Sequence, residues 1–288
     1  MNIQIRPTKQ EDAETCGRIC YEAFKTIAER HNFRPDFPTP EFAVQLVESL
    51  IASPQVFGVV AESDGRIIGS NYLWEYDRIR AVGPITVNPS VQSKGAGRKL
   101  MEAVIERGQA SNGIRLVQDS FNMASLSLYA GLGFDVKEPL VCIEGELKGD
   151  VPSDVEVRPI KEEDFEGCAE LCRKAHGFER TGELKNIPPF LKSFVAMRAG
   201  RITAYAAAPH FWALNHAVAE SEEDMRALLT GAGNLGEGQP ISFLLPSRQT
   251  DLFRWCLKKG MRAVKPMTLM AMGEYREPGA CYLPSVGY

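Results

Sequence analysis

Two stretches of this chain repeat each other at a constant offset of 152 residues. Arg6-Pro7-Thr8-Lys9-Gln10-Glu11-Asp12, leading to Cys16 and Cys20, returns as Arg158-Pro159-Ile160-Lys161-Glu162-Glu163-Asp164, leading to Cys168 and Cys172. A chain that spells one element order twice builds one domain twice, and this restricts the fold more than any other feature of the sequence. In both copies a short strand (residues 3–6 and 155–158) runs through proline into an acidic helix start. The length of 288 residues suits two domains of about 140 residues each. The polar, turn-rich stretch Lys148-Gly149-Asp150-Val151-Pro152-Ser153 marks the join, so we expect domains at 1–149 and 150–288.

Several function classes are excluded early. With 44% hydrophobic residues the chain can bury a large core, yet no apolar run approaches the ~18 residues of a membrane span. Met1-Asn2-Ile3-Gln4-Ile5-Arg6-Pro7 has no apolar signal-peptide core, which makes the cytoplasm the expected location. A net charge of −4 argues against a general nucleic-acid binder and leaves a cationic amine open as a substrate. Seven cysteines, an odd number, do not form a disulfide framework. Cys16/Cys20 and Cys168/Cys172 lack zinc-knuckle spacing and a histidine cluster, so we read them as small core residues and expect no metal. His210 and His216 read as packing residues in apolar strands.

The elements of the first copy can be read in order. A helix precedes the proline-rich loop 31–40, which is a candidate pocket wall, and an amphipathic helix follows over 41–53. Two β-rich runs, 56–62 and 66–75, flank Asp64-Gly65, a hairpin signal. The next strand is expected over 80–87, a helix over 97–109, a strand over 114–118 and a closing pair of strands over 134–147. Such an order is mixed α/β.

Chemistry concentrates at Val87-Asn88-Pro89-Ser90-Val91-Gln92-Ser93-Lys94-Gly95-Ala96-Gly97-Arg98, where a β-branched run ends in a glycine loop that opens into a helix. Gly95 and Gly97 bare their backbone N–H groups, the helix start adds unpaired donors, and Lys94, Arg98 and Lys99 add charge, which together make a phosphate cradle. A second element follows, Asn122-Met123-Ala124-Ser125-Leu126-Ser127-Leu128-Tyr129. There Asn122 or Ser120 can cap the helix and Gly133 serves as its C′ residue.

The two motifs, in this order and spacing, resemble the GNAT superfamily of acyl-CoA-dependent N-acyltransferases. The first is similar to that family's Gln/Arg-x-x-Gly-x-Gly/Ala pyrophosphate loop and the second to the helix carrying its tyrosine acid. The resemblance implies two tandem domains, each a mixed, mostly antiparallel sheet flanked by helices, with acetyl-CoA as co-substrate. It further implies that Gln92, Ser93, Lys94, Gly95, Ala96, Gly97 and Arg98 hold the pyrophosphate. Ile85, Thr86 and Val87 would pair with the pantetheine arm, Asn122 and Ser125 would contact the cofactor, and Tyr129 would protonate the leaving thiolate. The strand before Ile85 offers no carboxylate, so Glu75, with Asp77 beside it, is the candidate base; the carboxylate of Tyr288 is a further candidate.

The second copy changes the chemistry. Its corresponding turn is Glu220-Ser221-Glu222-Glu223-Asp224, four carboxylates that repel a pyrophosphate, while Ser221 and Asp224 suit a capping box. Aligning Gly260 with Gly133 puts Cys256 where the first copy has Tyr129. We therefore expect a degenerate second domain that is structural or shapes the substrate site. The expected partner is a small-molecule or peptide amine, with neither nucleic acid nor membrane, in a chain that could form a homodimer. The alternative is a non-catalytic acyl-CoA sensor or interaction module on the same fold.

Overall fold

The computed structural model describes residues 2–92, 94–188 and 191–287. The chain divides into two compact units, one of residues 1–116, 121–135 and 271–273, the other of 117–120, 136–270 and 274–288.

The first unit opens with β1 (Gln4–Pro7), α1 (Ala13–Arg30) and α2 (Pro40–Ala52), and continues with β2 (Val56–Ser63), β3 (Arg66–Trp74), β4 (Ile79–Val82) and β5 (Thr86–Val87). Then come α3 (Ala96–Gly108), β6 (Gly113–Asp119) and α4 (Met123–Ala130). Strands run β1-β2-β3-β4-β6, with β5 also on β3. Only β4 with β6 is parallel; the other pairs are antiparallel. Alternation across β3 separates the two helix layers. Asn71 donates its side-chain amide to the Leu100 carbonyl of α3, whereas Ser70 and Tyr72 face Cys16 of α1.

The second unit begins in β7 (Asp135–Gly145), followed by β8 (Val155–Pro159), α5 (Phe165–His176), α6 (Thr181–Lys185), β9 (Phe194–Arg198), β10 (Arg201–Ala206) and β11 (Ala217–Ala219). It ends with α7 (Glu222–Leu235), β12 (Ile241–Pro246), α8 (Thr250–Lys258), β13 (Arg262–Gly273) and β14 (Cys281–Leu283). Its own sheet has the order β14-β11-β10-β9-β8. On β10, Ala204 and Ala206 pack with Met225, Leu228 and Leu229 of α7. The intervening Tyr205 packs with Cys168, Leu171 and Cys172 of α5, the period-2 pattern of a sheet covered on both faces. A second set of strands runs β13-β7-β12, and β7 pairs antiparallel with β12 from Leu140↔Pro246 to Gly145↔Ile241.

The repeat holds at the level of single hydrogen bonds. The Arg6 guanidinium grips Asp12 at 2.7 and 3.0 Å, and Arg158 grips Asp164 at 2.7 and 2.8 Å. Each aspartate also accepts the N–H three residues before it, Lys9 at 2.8 Å and Lys161 at 2.7 Å. The hairpins β2–β3 and β9–β10 both turn on two residues with positive φ, Asp64 and Gly65 (51° and 72°), then Ala199 and Gly200 (50° and 75°). Cys16, Cys20, Cys168 and Cys172 are fully buried, as core residues should be.

Three expected elements differ. Residues 134–147 form one strand, β7, not two: Pro139 donates no ladder hydrogen bond, yet the strand runs through it, as β13 runs through Pro266. In the second copy, the β-rich run 202–211, expected as one strand pairing with 193–198 around Gly200, ends as strand at Ala206, and Trp212–Leu214 is a short 3-10 turn. The strand expected over 80–87 is broken in two.

Candidate active site

That break shapes the site. β3 pairs with β4 as Leu73↔Val82 and Trp74↔Ala81, but with β5 as Ser70↔Thr86 and Gly69↔Val87. The paired numbers sum to 155 in β4 and to 156 in β5, so the chain carries one extra residue between them. This is a β-bulge around Gly83-Pro84-Ile85. Meanwhile β4 runs beside β6 only over Ile79–Ala81 and Gly113–Arg115. Beyond Ala81 the two parallel strands part.

The parting leaves backbone groups of β5 without a strand on one side. The Asn88 N–H donates to the Ile68 carbonyl at 2.8 Å, so by antiparallel alternation Thr86 also faces β3, and Ile85 and Val87 face away. Of the three residues expected to pair with a pantetheine arm, Thr86 is therefore committed to β3, and Ile85 and the N–H of Val87 present the open edge. Gln92 closes the loop by donating its amide to the Val87 carbonyl at 3.3 Å.

The glycine loop enters α3 through Gly95, whose φ of 90° lies in the left-handed region that side chains avoid. Its N-cap, Gly95, has no side chain to cap the helix with. The first intrahelical bond in the loop runs from the Lys99 N–H to the Gly95 carbonyl, which leaves the N–H groups of Ala96, Gly97 and Arg98 at the dipole's positive end. A Cβ placed on Gly95 would meet nothing within 4 Å, so the space above the loop is open. Lys94 and Arg98 are exposed, while Lys99 turns its ammonium to the Ile3 carbonyl at 2.9 Å. Ser93 lies outside the described residues, as does Tyr288.

Helix α4 reaches the same loop. A Cβ on Gly97 would sit 3.5 Å from Leu128 Cδ2, and one on Gly131 would sit 3.8 Å from a guanidinium nitrogen of Arg98. Tyr129, beside Leu128, is buried and packs edge-on to Phe134. Asn122 caps α4 by accepting the Ser125 N–H at 3.2 Å. The helix ends where Gly133, at φ 98°, donates to the Ala130 carbonyl and Phe134 donates to that of Tyr129. This is a Schellman motif. In α8, Gly260 donates to Leu257 and Met261 to Cys256 in the same pattern, so the alignment of Cys256 with Tyr129 is geometric as well as sequential. Burial pushes the Cys256 thiol up to about 12, so it stays protonated.

Glu75 is otherwise engaged. Both its oxygens accept from Arg107, at 3.2 and 2.9 Å, and Arg107 stands ten residues along α3 from Gly97, about 15 Å at the helical rise. In the second copy, α7 begins with Ser221 accepting the Asp224 N–H at 3.1 Å, and Glu222, Glu223 and Asp224 fill its first turn.

Residues 22–134 match the model of the acetyltransferase (GNAT) family. This part of the chain is a GNAT domain. The full chain has the fold of solved tandem GNAT proteins. A "putative acetyltransferase" from Pyrococcus horikoshii aligns over 99% of this chain and 95% of its own, with a TM-score of 0.75 at 20% identity. A tandem GNAT protein from the clavulanic acid biosynthesis pathway aligns over 94% and 98%, with a TM-score of 0.61 at 14% identity. A GCN5-related N-acetyltransferase from Sphaerobacter thermophilus aligns over 96% of both chains, also at 0.61 and 14%. No curated protein matches the chain by sequence. Among the described residues no helix is long and apolar enough to cross a membrane.

Two features escaped the sequence reading. The bulge does leave a signal, the Gly83-Pro84 pair inside the run expected as one continuous strand. The histidines leave one too: His176 follows Cys172 by four residues, one helical turn, and the fold brings His216 to both.

Proposed function

We propose that this chain is an N-acetyltransferase whose first domain moves the acetyl group of acetyl-CoA to a primary amine by direct attack. The observation that supports this reading is that the start of α3, whose N-cap is Gly95, lies against Val87 of β5 and against Leu128 of α4, the residue before Tyr129. These residues fit acetyl-CoA. Ala96, Gly97 and Arg98 would donate to the pyrophosphate, Lys94 and Arg98 would supply charge, and Ile85 and Val87 would hydrogen-bond the pantetheine arm as a strand does. A backbone N–H at the bulge would polarise the thioester carbonyl as the amine attacks. Tyr129 would give its phenolic proton to the departing thiolate. Asn122 supports the site through α4, which it caps. The second domain, with carboxylates at the start of α7 and Cys256 at the tyrosine position, would bind no second acetyl-CoA.

Calorimetry with acetyl-CoA tests this. Wild type and Ser221→Ala should each bind one equivalent, and Gly95→Glu should bind none. Failure of wild type to bind defeats the proposal.

One observation favours a second reading. The carboxylate expected as the base, Glu75, is held by Arg107, which suits a non-catalytic acyl-CoA sensor. Turnover with a panel of amines, including peptide amines, separates the two.

A further inference from the structure

The second domain encloses a group of ligating atoms that acetyl transfer does not use. Cys172 and His176 lie on one face of α5, and His216 precedes β11. All three are fully buried, and their ligand atoms lie within 4.8 Å of one another. The two Nε2 atoms are 3.4 Å apart. That separation lets one ring donate to the other. It also matches the edge of a metal tetrahedron, since two nitrogens each about 2.0–2.1 Å from one ion stand about 3.3 Å apart.

The surroundings orient the His216 ring as a metal site requires. The His216 Nδ1 lies 3.3 Å from the Tyr205 hydroxyl, which directs Nε2 toward His176. Tyr282 packs edge-on against the His176 ring at 5.4 Å. The nearby Arg180 does not stand against a cation uncompensated, because it pairs with buried Glu183 at 2.9 Å and donates to the Gly287 carbonyl. The first domain supplies a contrast. At the repeat offset it keeps a cysteine, Cys20, but has Phe24 in place of His176.

We propose that Cys172 Sγ, His176 Nε2 and His216 Nε2 bind one d10 metal ion, copper(I) or zinc(II). Binding forms one metal–sulfur and two metal–nitrogen bonds and releases the thiol proton to solvent. One thiolate and two imidazoles neutralise copper(I) fully, which suits a dry site. Zinc(II) would retain one positive charge and take a fourth ligand.

The test uses the full chain without a histidine tag, freed of metal by chelator dialysis. It is then loaded separately with copper(I) under anaerobic reduction and with zinc(II), desalted, and assayed for bound metal and melting temperature. Wild type should retain about one equivalent of at least one ion and melt higher with it. Cys172→Ser and His216→Asn, each folded by circular dichroism, should lose that retention, and Tyr205→Phe should weaken it by about tenfold. The proposal is overturned if wild type retains neither ion and shows no melting shift, or if both ligand variants retain as much metal as wild type.

Discussion

At the scale of single residues, the tyrosine and the two carboxylate types make separable predictions. Tyr129→Phe removes one hydroxyl from a buried ring and keeps the contact with Phe134. We expect acetyl-CoA affinity to hold while kcat falls by about 10²–10⁴-fold, the usual weight of a general acid; calorimetry and steady-state kinetics check this. Glu75→Gln should leave the pH profile of kcat/KM unchanged and lower the melting temperature modestly, because its oxygens serve Arg107; a profile displaced to higher pH would instead mark Glu75 as the base. Asp12 and Asp164 are held below the ordinary carboxylate value, first by hydrogen bonds from Arg6 and Arg158. A depressed folded value stabilises at pH above the unfolded value, and the contribution is lost as pH falls through the folded one. Asp164→Asn should therefore cost about 1–3 kcal/mol at pH 7. The gap from wild type should close in strong acid, as melting curves from pH 7 to pH 2 would show.

At the scale of elements, the two Schellman turns are matched experiments of nature. Gly133 and Gly260 hold φ of 98° and 85°, and a Cβ on Gly260 would meet no atom within 4 Å. Gly260→Ala should thus lower stability by about 1–2 kcal/mol through backbone strain alone, measurable by urea unfolding. Glycines, caps and hairpin turns were legible in the sequence because each answers a local backbone demand. Asn122, Ser221, Gly133 and the Asp64-Gly65 turn all fell where expected. The bulge at 83–85 was marked by Gly83-Pro84, but its register was not legible, since that depends on β3 pairing with both β4 and β5, a relation between distant residues. Likewise, Cys172 read as core packing, which it is; that it meets His216 depends on how β11 lies beside α5.

At the scale of the whole molecule, the twofold repeat was legible in the sequence, and the contrast between copies is why we propose the site in the first half. At the loop, the residue types were legible but their directions were not: Thr86 faces β3, Lys99 turns to Ile3, and Gln92 returns to Val87. The repeat does not show where each strand finds its partners. β7 belongs to the first copy in sequence, yet its neighbours are β12 and β13. Residues 1–149 produced alone would leave β7 unpaired on both edges, so we expect that fragment to aggregate while the full chain stays monodisperse, as size-exclusion chromatography would show.

The same pairing sets a schedule for synthesis. β7 ends at Gly145 and β12 begins at Ile241. At roughly 5–20 residues per second, a ribosome needs about 5–20 s to supply the strand that β7 awaits. During that interval the nascent chain carries a finished strand with no bed to lie in, and its exposure to chaperones is written into the order of its own parts.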